Sequence, residues 1–360
     1  MRKEDKDILL RLLKLHKELG ISDQIDFDKF YLYSIITHST AIEGSTVTEV
    51  EAQLLFDQGI TSSKRTMYEQ QMNLDLKVAY DYGRSWIEQH DPITVDWLVL
   101  LASKVMARTG SEYHSIGGDF SAARGELRKL NVTAGIGGKS YMSFEKVPSR
   151  LAAFCNELNH RRKAIHTADV ASVYELSFWA HYELVTIHPW ADGNGRTSRL
   201  LMNLLQWEFG VLPTKVLKED KAEYIQALID AREHGDISIF LDCMTKLHCQ
   251  HLQTDIDQFI KSTTDDDSIN VLENTNQGNR QLSVRQKEIL KQLIATGQFN
   301  NQENVLENVL ETSSSLGALF GVDARTIRRD LAAMQAMGYL RHAGPDKGGC
   351  WQILFLPCKL

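Results

Sequence analysis

The sequence predicts a mainly α-helical protein, with a small β-hairpin set into a helical core and a separate C-terminal domain. Apolar residues recur at helical spacing through the first three quarters of the chain. A glycine-rich segment at 117–148 interrupts this pattern and indicates a loop or hairpin. Beyond residue 280 the pattern becomes helix, turn, helix, and two apolar runs separated by GPDKGG follow it. This last order of elements is typical of a winged helix.

The helices can be placed in order from their apolar faces and their end signals. The first, at 4–19, has its leucines on one face, and Thr48 with Glu51 forms a capping box ahead of VTEVEAQLLF. In the glycine-rich segment, residues 141–144 alternate like a short strand. Further helices are predicted at 27–39, 67–89, 94–108, 149–163, 169–187, 196–209, 219–234, 237–261 and 283–297.

These elements suggest four regions: an N-terminal helical region at 1–110, a core domain at 111–262, a linker at 263–281 and a winged-helix domain at 282–360. The linker is polar, acidic and rich in Asn and Ser. The net charge of −7 argues against general nucleic-acid binding, but residues 280–360 carry +3 and the rest −10.

The five cysteines are scattered without CxxC spacing, so neither a zinc site nor a disulfide framework is indicated. The N-terminus has no uninterrupted apolar region of the kind found in signal peptides, and no apolar run has the length of a membrane span. We therefore expect a cytoplasmic protein with reduced thiols and no membrane partner.

The stretch HPWADGNGRTSR, residues 188–199, concentrates groups that bind phosphates. Gly193, Asn194 and Gly195 precede an apolar helix, whose N-terminus presents free N–H groups and a partial positive charge. Arg196 and Arg199 lie three residues apart near the same helix end, and guanidinium groups bind phosphate oxygens in pairs. The stretch therefore predicts a site for more than one phosphate.

Two further side chains of this stretch suggest a reaction at the phosphates. Asp192 would be repelled by phosphates unless a cation lay between them, and Mg²⁺ held by one carboxylate and phosphate oxygens is the usual solution. His188 is a candidate general base near neutral pH. Each feature alone is more often structural, but their joint occurrence within one stretch favours a catalytic site.

The stretch resembles the signature of Fic-domain proteins, HxFx[DE]GNGRxxR, with Trp190 in place of Phe. The resemblance implies transfer of AMP from ATP to a Ser, Thr or Tyr hydroxyl of a target protein and of the enzyme itself. Related Doc-type kinases carry Lys where this chain has Gly195, which favours nucleotidyl transfer. The resemblance extends over about residues 30–260.

The resemblance also assigns roles to the matching residues. His188 would deprotonate the attacking hydroxyl, and Asp192 would hold Mg²⁺ between the α- and β-phosphates. The nucleotide would be bound by Gly193, Asn194, Gly195, Arg196 and Arg199, with Asn194 on the α-phosphate. The glycine-rich segment at about 131–147 matches the flap, a hairpin along which a target protein would dock. Tyr224 could contact adenine, although a core tyrosine fits its position equally well.

A second stretch, STAIEGS at 39–45, resembles the inhibitory motif of the same family, [ST]xxxE[GN], through Ser39, Glu43 and Gly44. Glu43 could pair with Arg199 and occupy the guanidinium that the γ-phosphate requires. The simpler interpretation is a helix C-terminus closed by Gly44. Together with the signature, the motif predicts an autoinhibited enzyme.

In the C-terminal domain, Arg325, Arg328 and Arg329 fall outside the apolar stripe of Ile327, Leu331 and Met334. These arginines could contact DNA, or the domain could dock a protein or form a homo-oligomer. Two other functions stay open for the whole chain. One is a DNA-binding regulator that senses nucleotide, and the other is a de-AMPylase in which Glu43 positions or activates water.

Overall fold

The computed structural model divides the chain into two compact units, residues 1–265 and 266–360. The residues that the structure describes are 2–134, 139–165, 169–270, 284–296, 298–300, 305–308, 312–336, 339–343 and 350–353.

The described residues of the first unit are mainly helical, as the sequence predicts, with a small antiparallel hairpin among the helices. The hairpin pairs β1 (Glu112–Tyr113) with β2 (Phe120–Ser121). The helices are α1 (Lys3–Glu18), α2 (Phe27–Ile42), α3 (Glu49–Gln58), α4 (Met67–Ile87), α5 (Val95–Val105), α6 (Val147–Ala164), α7 (Val170–Ile187), α8 (Asn194–Glu208), α9 (Lys221–His234) and α10 (Ser238–Asn270). No helix among the described residues is long and apolar enough to cross a membrane.

Helix α8 lies at the centre of this unit because its apolar side chains leave no face for solvent. Its leucines Leu200, Leu201, Leu204 and Leu205 are buried, as the helical spacing predicts. The helix packs against α2, α4, α5 and α7. Burial on all sides fixes the N-terminus of α8, where the signature stretch lies, against the rest of the unit.

Helix ends follow the local chemistry of the sequence. The predicted capping box at the start of α3 is confirmed, since Thr48 and Glu51 exchange hydrogen bonds. A second box between Thr66 and Glu69 begins α4. Helix α2 continues to Ile42, three residues beyond the predicted end, and this places Glu43 at its C-cap.

Two predicted elements differ in the structure. Residues 141–143 are irregular and Phe144–Lys146 form a single 3₁₀ turn, so the predicted strand at 141–144 is wrong. The Phe144 N–H donates to Asn131 Oδ1 at 3.0 Å, and this side-chain bond replaces strand pairing. Helix α10 continues to Asn270, nine residues past its predicted end and into the predicted linker. The remainder of that linker, 271–281, lies outside the described residues.

The described part of the second unit contains helices and an antiparallel sheet. Its elements are α11 (Val284–Ala295), β3 (Gln298–Asn300), β4 (Val305–Asn308), α12 (Ser313–Phe320), α13 (Ala324–Ala336), β5 (Leu340–Ala343) and β6 (Cys350–Ile353). The strands lie in the order β3-β4-β6-β5. The predicted helix–turn–helix and C-terminal hairpin are present, but β3 and β4 were not predicted, and the hairpin turn, 344–349, lies outside the described residues. The apolar stripe of α13 is buried in the core of this unit.

Candidate active site

The signature stretch forms the turn between α7 and α8, and α8 begins at Asn194. Gly193 caps the helix with φ of 83°, a conformation that favours glycine, and a Cβ there would lie 2.8 Å from Met106 Sδ. The Thr197 N–H is the first to bond within the helix, to the carbonyl of Gly193. The N–H groups of the first helical residues precede this bond, and such groups at a helix N-terminus are suited to bind an anion.

The side chain of Asn194 closes this turn. Its Nδ2 donates to the Trp190 carbonyl at 2.8 Å, and its Oδ1 accepts from the Trp190 N–H at 3.1 Å. The Trp190 indole is itself buried, and its Nε1 donates to the Gly125 carbonyl at 2.9 Å. In this structure Asn194 therefore offers an incoming phosphate its backbone N–H, because its side chain is engaged by the loop.

His188 ends α7 in the left-handed conformation, with φ of 52°. Its Nδ1 lies 3.3 Å from the Val185 carbonyl, an arrangement that favours the proton on Nδ1 and leaves the lone pair of Nε2 available. Burial lowers the pKa of His188 to about 4. The imidazole is therefore neutral at physiological pH, which is the form that a general base requires.

Arg128 holds the backbone around His188, a role that no sequence pattern indicated. Its guanidinium is buried and donates to the carbonyls of His188 at 2.7 Å, Leu130 at 2.8 Å and Met142 at 2.7 Å. The strained turn at His188 is thus tied to both sides of the predicted flap.

Asp192 and Arg196 lie beside the helix N-terminus. The Asp192 side chain is 45% exposed, and its Oδ1 accepts from the Gly193 N–H at 2.5 Å and lies 3.3 Å from Arg196 Nη2. Arg196 is buried, yet its Nε and Nη1 have no hydrogen-bond partner among the described residues. A buried guanidinium with free donors is costly, and an anion bound at the helix end would satisfy it.

Arg199 is buried one helical turn further and is occupied by the inhibitory stretch. Its Nη2 lies 2.6 Å from Glu43 Oε1 and 3.0 Å from the Ser39 carbonyl. Its Nε donates to Ser39 Oγ at 2.9 Å. Gly195 packs under this ion pair, since a Cβ at that position would lie 2.7 Å from Glu43 Oε1. The predicted contact between Glu43 and Arg199 is therefore present in the structure.

The electrostatics of this pair favour the charged form of both groups. Burial raises the pKa of Glu43, but the attraction of Arg199 outweighs it and the net pKa is lowered. One third of the Glu43 side chain is still exposed to solvent. Glu43 is thus a partly exposed carboxylate paired with a buried guanidinium.

The flap and the signature stretch lie in a segment that is similar to known proteins. Residues 92–206 match the model of the Fic/DOC family. This segment is a Fic domain. The match begins in the loop before α5 and ends in α8, so it includes the flap and the whole signature stretch.

Curated relatives that match more than half of this chain are named protein adenylyltransferases. Protein adenylyltransferase Fic of Drosophila virilis is 30% identical over 215 residues, which is 59% of this chain and 41% of that protein. Protein adenylyltransferase fic-1 of Caenorhabditis elegans is 26% identical over 279 residues, 76% and 49% of the two chains. The chain thus spans less than half the length of these curated relatives.

A solved structure shares the fold at a lower identity. The Fic domain containing signaling protein from Bacteroides thetaiotaomicron aligns with a TM-score of 0.58 and 22% identity. The alignment covers 71% of this chain and 97% of that one.

Asn73 on α4 fixes the C-terminal end of α2, and sequence patterns did not reveal this contact. The buried Asn73 side chain donates to Ser45 Oγ at 3.2 Å and accepts from Thr40 Oγ1 at 2.9 Å. Thr40 and Ser45 lie on either side of Glu43 in the chain. A buried amide of α4 therefore holds the segment that presents Glu43 to Arg199.

Tyr224, on α9, lies behind Arg199. Its side chain is 1% exposed, and its hydroxyl lies 3.4 Å from Arg199 Nη1 and 2.9 Å from His181 Nε2. The structure thus agrees with the core interpretation of this residue, whose ring supports the guanidinium. The tip of the predicted flap, 135–138, lies outside the described residues, and Thr133 pairs with Ser140 across its base.

In the second unit, the side of α13 opposite its buried stripe is open to solvent. Its exposed residues include Arg325, Arg328 and Arg329, which we call the α13 arginines. The sequence predicted their position off the apolar stripe correctly, and their contact with DNA stays a prediction.

Proposed function

We propose that this protein is an autoinhibited protein adenylyltransferase, which transfers AMP from ATP to a hydroxyl of a target protein and of itself. The observation that carries the proposal is the position of a neutral His188 beside a helix N-terminus and a buried Arg196 with unpaired donors. A base next to a phosphate-binding end suits transfer of a phosphate-containing group. The names of the relatives support the same activity.

In the proposed reaction, the acceptor oxygen forms a bond to the α-phosphorus while the bond from that phosphorus to the bridging oxygen breaks. The hydroxyl proton passes to His188 Nε2, and diphosphate leaves with the bond electrons. The N–H groups at the start of α8 and the free donors of Arg196 stabilise the negative charge of the phosphates. Positioning and charge neutralisation supply the rate, as in other phosphoryl transfers.

The residues present fit a bound Mg²⁺. Asp192 offers a partly exposed carboxylate beside the helix end, and the described residues contain no group of three protein ligands that could hold a metal. One carboxylate combined with phosphate oxygens and water is the coordination that Mg²⁺ favours in nucleotide sites. When bound, the ion would neutralise phosphate charge, while Asp192 would hold it.

Inhibition follows from the competition for Arg199. The Arg199 guanidinium cannot bind both Glu43 and a γ-phosphate fully. A triphosphate that binds while Glu43 is paired therefore has its α-phosphate displaced from the position in line with the acceptor hydroxyl. An error of about 1 Å can cost about a hundredfold in rate. Glu43 therefore inhibits without having to prevent ATP binding.

Radiolabel transfer tests this function. The purified chain and its Glu43→Gly variant are incubated in cell lysate with ATP labelled at the α- or the γ-phosphate, with His188→Ala as the matched control. Label from the α-position on protein, absent with His188→Ala, supports the proposal. Label from the γ-position would indicate a kinase. Release of AMP from modified protein, without net transfer, would indicate the reverse reaction.

We propose two macromolecular partners. The first is a target protein, a strand of which could dock along the flap at about 131–147. The exposed α13 arginines give the second unit a basic face suited to the phosphates of duplex DNA.

A further inference from the structure

Tyr141, at the base of the flap, lies directly on the candidate base. Its ring stacks on the imidazole of His188 with centroids 3.9 Å apart and planes at 21°. The Tyr141 N–H donates to the Val132 carbonyl at 3.0 Å, which ties the residue to the opposite side of the flap. One face of His188 is therefore covered by an aromatic ring that belongs to the flap.

A cation from α9 also contacts Tyr141. The guanidinium carbon of Arg232 lies 4.7 Å from the Tyr141 ring centroid, and Arg232 Nη2 donates to the Lys139 carbonyl at 3.2 Å. Arg232 thus contacts both the ring and the backbone of the flap. These contacts help to hold the Tyr141 ring in its stack on His188.

The stack completes the restraints on the imidazole. The Val185 carbonyl fixes the position of Nδ1, and Arg128 fixes the His188 carbonyl. Neither of these bonds prevents the ring from tilting, but a parallel ring at 3.9 Å does.

The charges that face His188 come from three elements. Arg128 and Arg232 oppose its protonation, and Asp192 favours it. The aromatic ring of Tyr141, stacked on His188, adds to the burial that disfavours the imidazolium.

We propose that Tyr141 is a positioning residue for His188. The Tyr141 ring fixes the imidazole plane and covers one face, so the acceptor hydroxyl reaches Nε2 along the edge of the ring. This inference rests on the proposed function, because it assigns a role within that reaction. The ring carries this role and the hydroxyl does not, since stacking and shielding are properties of the aromatic face.

The test compares Tyr141→Phe and Tyr141→Ala in the Glu43→Gly chain, with the transfer rate measured as a function of pH and of ATP concentration. Tyr141→Ala should lower turnover by about 10- to 100-fold at a similar KM for ATP, because the imidazole loses its orientation. In Tyr141→Ala, the pH at which the rate falls on the acidic side should move up towards the ordinary pKa of histidine. Tyr141→Phe should recover most of the lost rate and the original pH profile.

A second readout does not need activity. The His188 signal is followed against pH by NMR of the full chain with labelled histidine, and it is assigned as the signal that His188→Ala removes. The titration midpoint of His188 should be raised by Tyr141→Ala and should return to its original pH in Tyr141→Phe. An unmoved midpoint in Tyr141→Ala overturns the inference even if activity falls. Equal loss in both variants overturns it too, since the hydroxyl would then be the active group. If the Glu43→Gly chain transfers no AMP while the midpoint shifts as expected, the proposed function fails and the positioning of His188 stands.

Discussion

Replacing Glu43 with glycine should release the inhibition, and the structure gives the expected size of the effect. The change removes a charge-assisted hydrogen bond of 2.6 Å to Arg199, while Ser39 still holds that guanidinium. Such bonds contribute about 1.5–3 kcal/mol. Because one third of the Glu43 side chain is exposed, we expect the lower part of that range. Since about 1.4 kcal/mol is a factor of ten, the rate should rise about ten- to thirtyfold.

The assay is AMP transfer by the purified chain at several ATP concentrations. The gain should appear mainly in turnover, with a modest change in ATP affinity, because Glu43 misplaces the triphosphate without excluding it. Glu88→Gly is the matched control. Glu88 is the C-cap of α4 as Glu43 is the C-cap of α2, so it reproduces the effect of glycine at a helix end without the contact to Arg199.

Two results would refute this reasoning. If Glu43→Gly is no more active than the unmodified chain, the stretch at 39–45 is an ordinary helix end. If Glu88→Gly raises the rate equally, loosening of a helix end is the cause and the ion pair is not. Arg199→Ala should stay inactive, since it also removes the group that would bind the γ-phosphate.

Three further predictions concern other parts of the molecule. Asn73→Ala should also raise transfer, by less than Glu43→Gly, and should cost about 1–3 kcal/mol of stability because it removes the hydrogen bonds to Thr40 and Ser45, which activity and thermal unfolding would measure. The pKa of His188 is lowered from 6.5 to about 4, so the neutral base persists as the pH falls. The Glu43→Gly chain should therefore keep its transfer rate down to about pH 5 and lose it near pH 4. A rate that already falls near pH 6.5 would contradict this. Alanine at all three α13 arginines should weaken binding of the full chain to duplex DNA and reduce the slope against salt, as fluorescence anisotropy would show, and an unchanged slope would exclude phosphate contacts.

Local sequence was sufficient for the parts of the site that depend on neighbouring residues. A glycine turn before an apolar helix requires only the helix period and the backbone freedom of Gly193, and α8 begins at Asn194, two residues before its predicted start. The pairing of Glu43 with Arg199 was predicted from the family resemblance, and its chemistry is that of opposite charges.

Contacts between distant parts of the chain left no local pattern to detect. Arg128 contacts the carbonyl of His188 across 60 positions, and Asn73 reaches back to Thr40 across 33. An arginine beside a glycine-rich segment and a polar residue within a helix both look like solvent-exposed positions in sequence. Their burial is decided by the packing of α4 and the flap around α8. The same packing placed Tyr141 on His188 and prevented the strand predicted at 141–144.

Mass spectrometry of the purified Glu43→Gly chain after incubation with ATP and Mg²⁺ tests the central claim most directly. We predict a mass increase of one or more AMP groups on hydroxyl side chains, with no increase when His188 is also replaced by alanine. A mass increase of phosphate alone would show a kinase. An unchanged mass, together with no transfer to any lysate protein, would contradict the assignment of this site to adenylyl transfer.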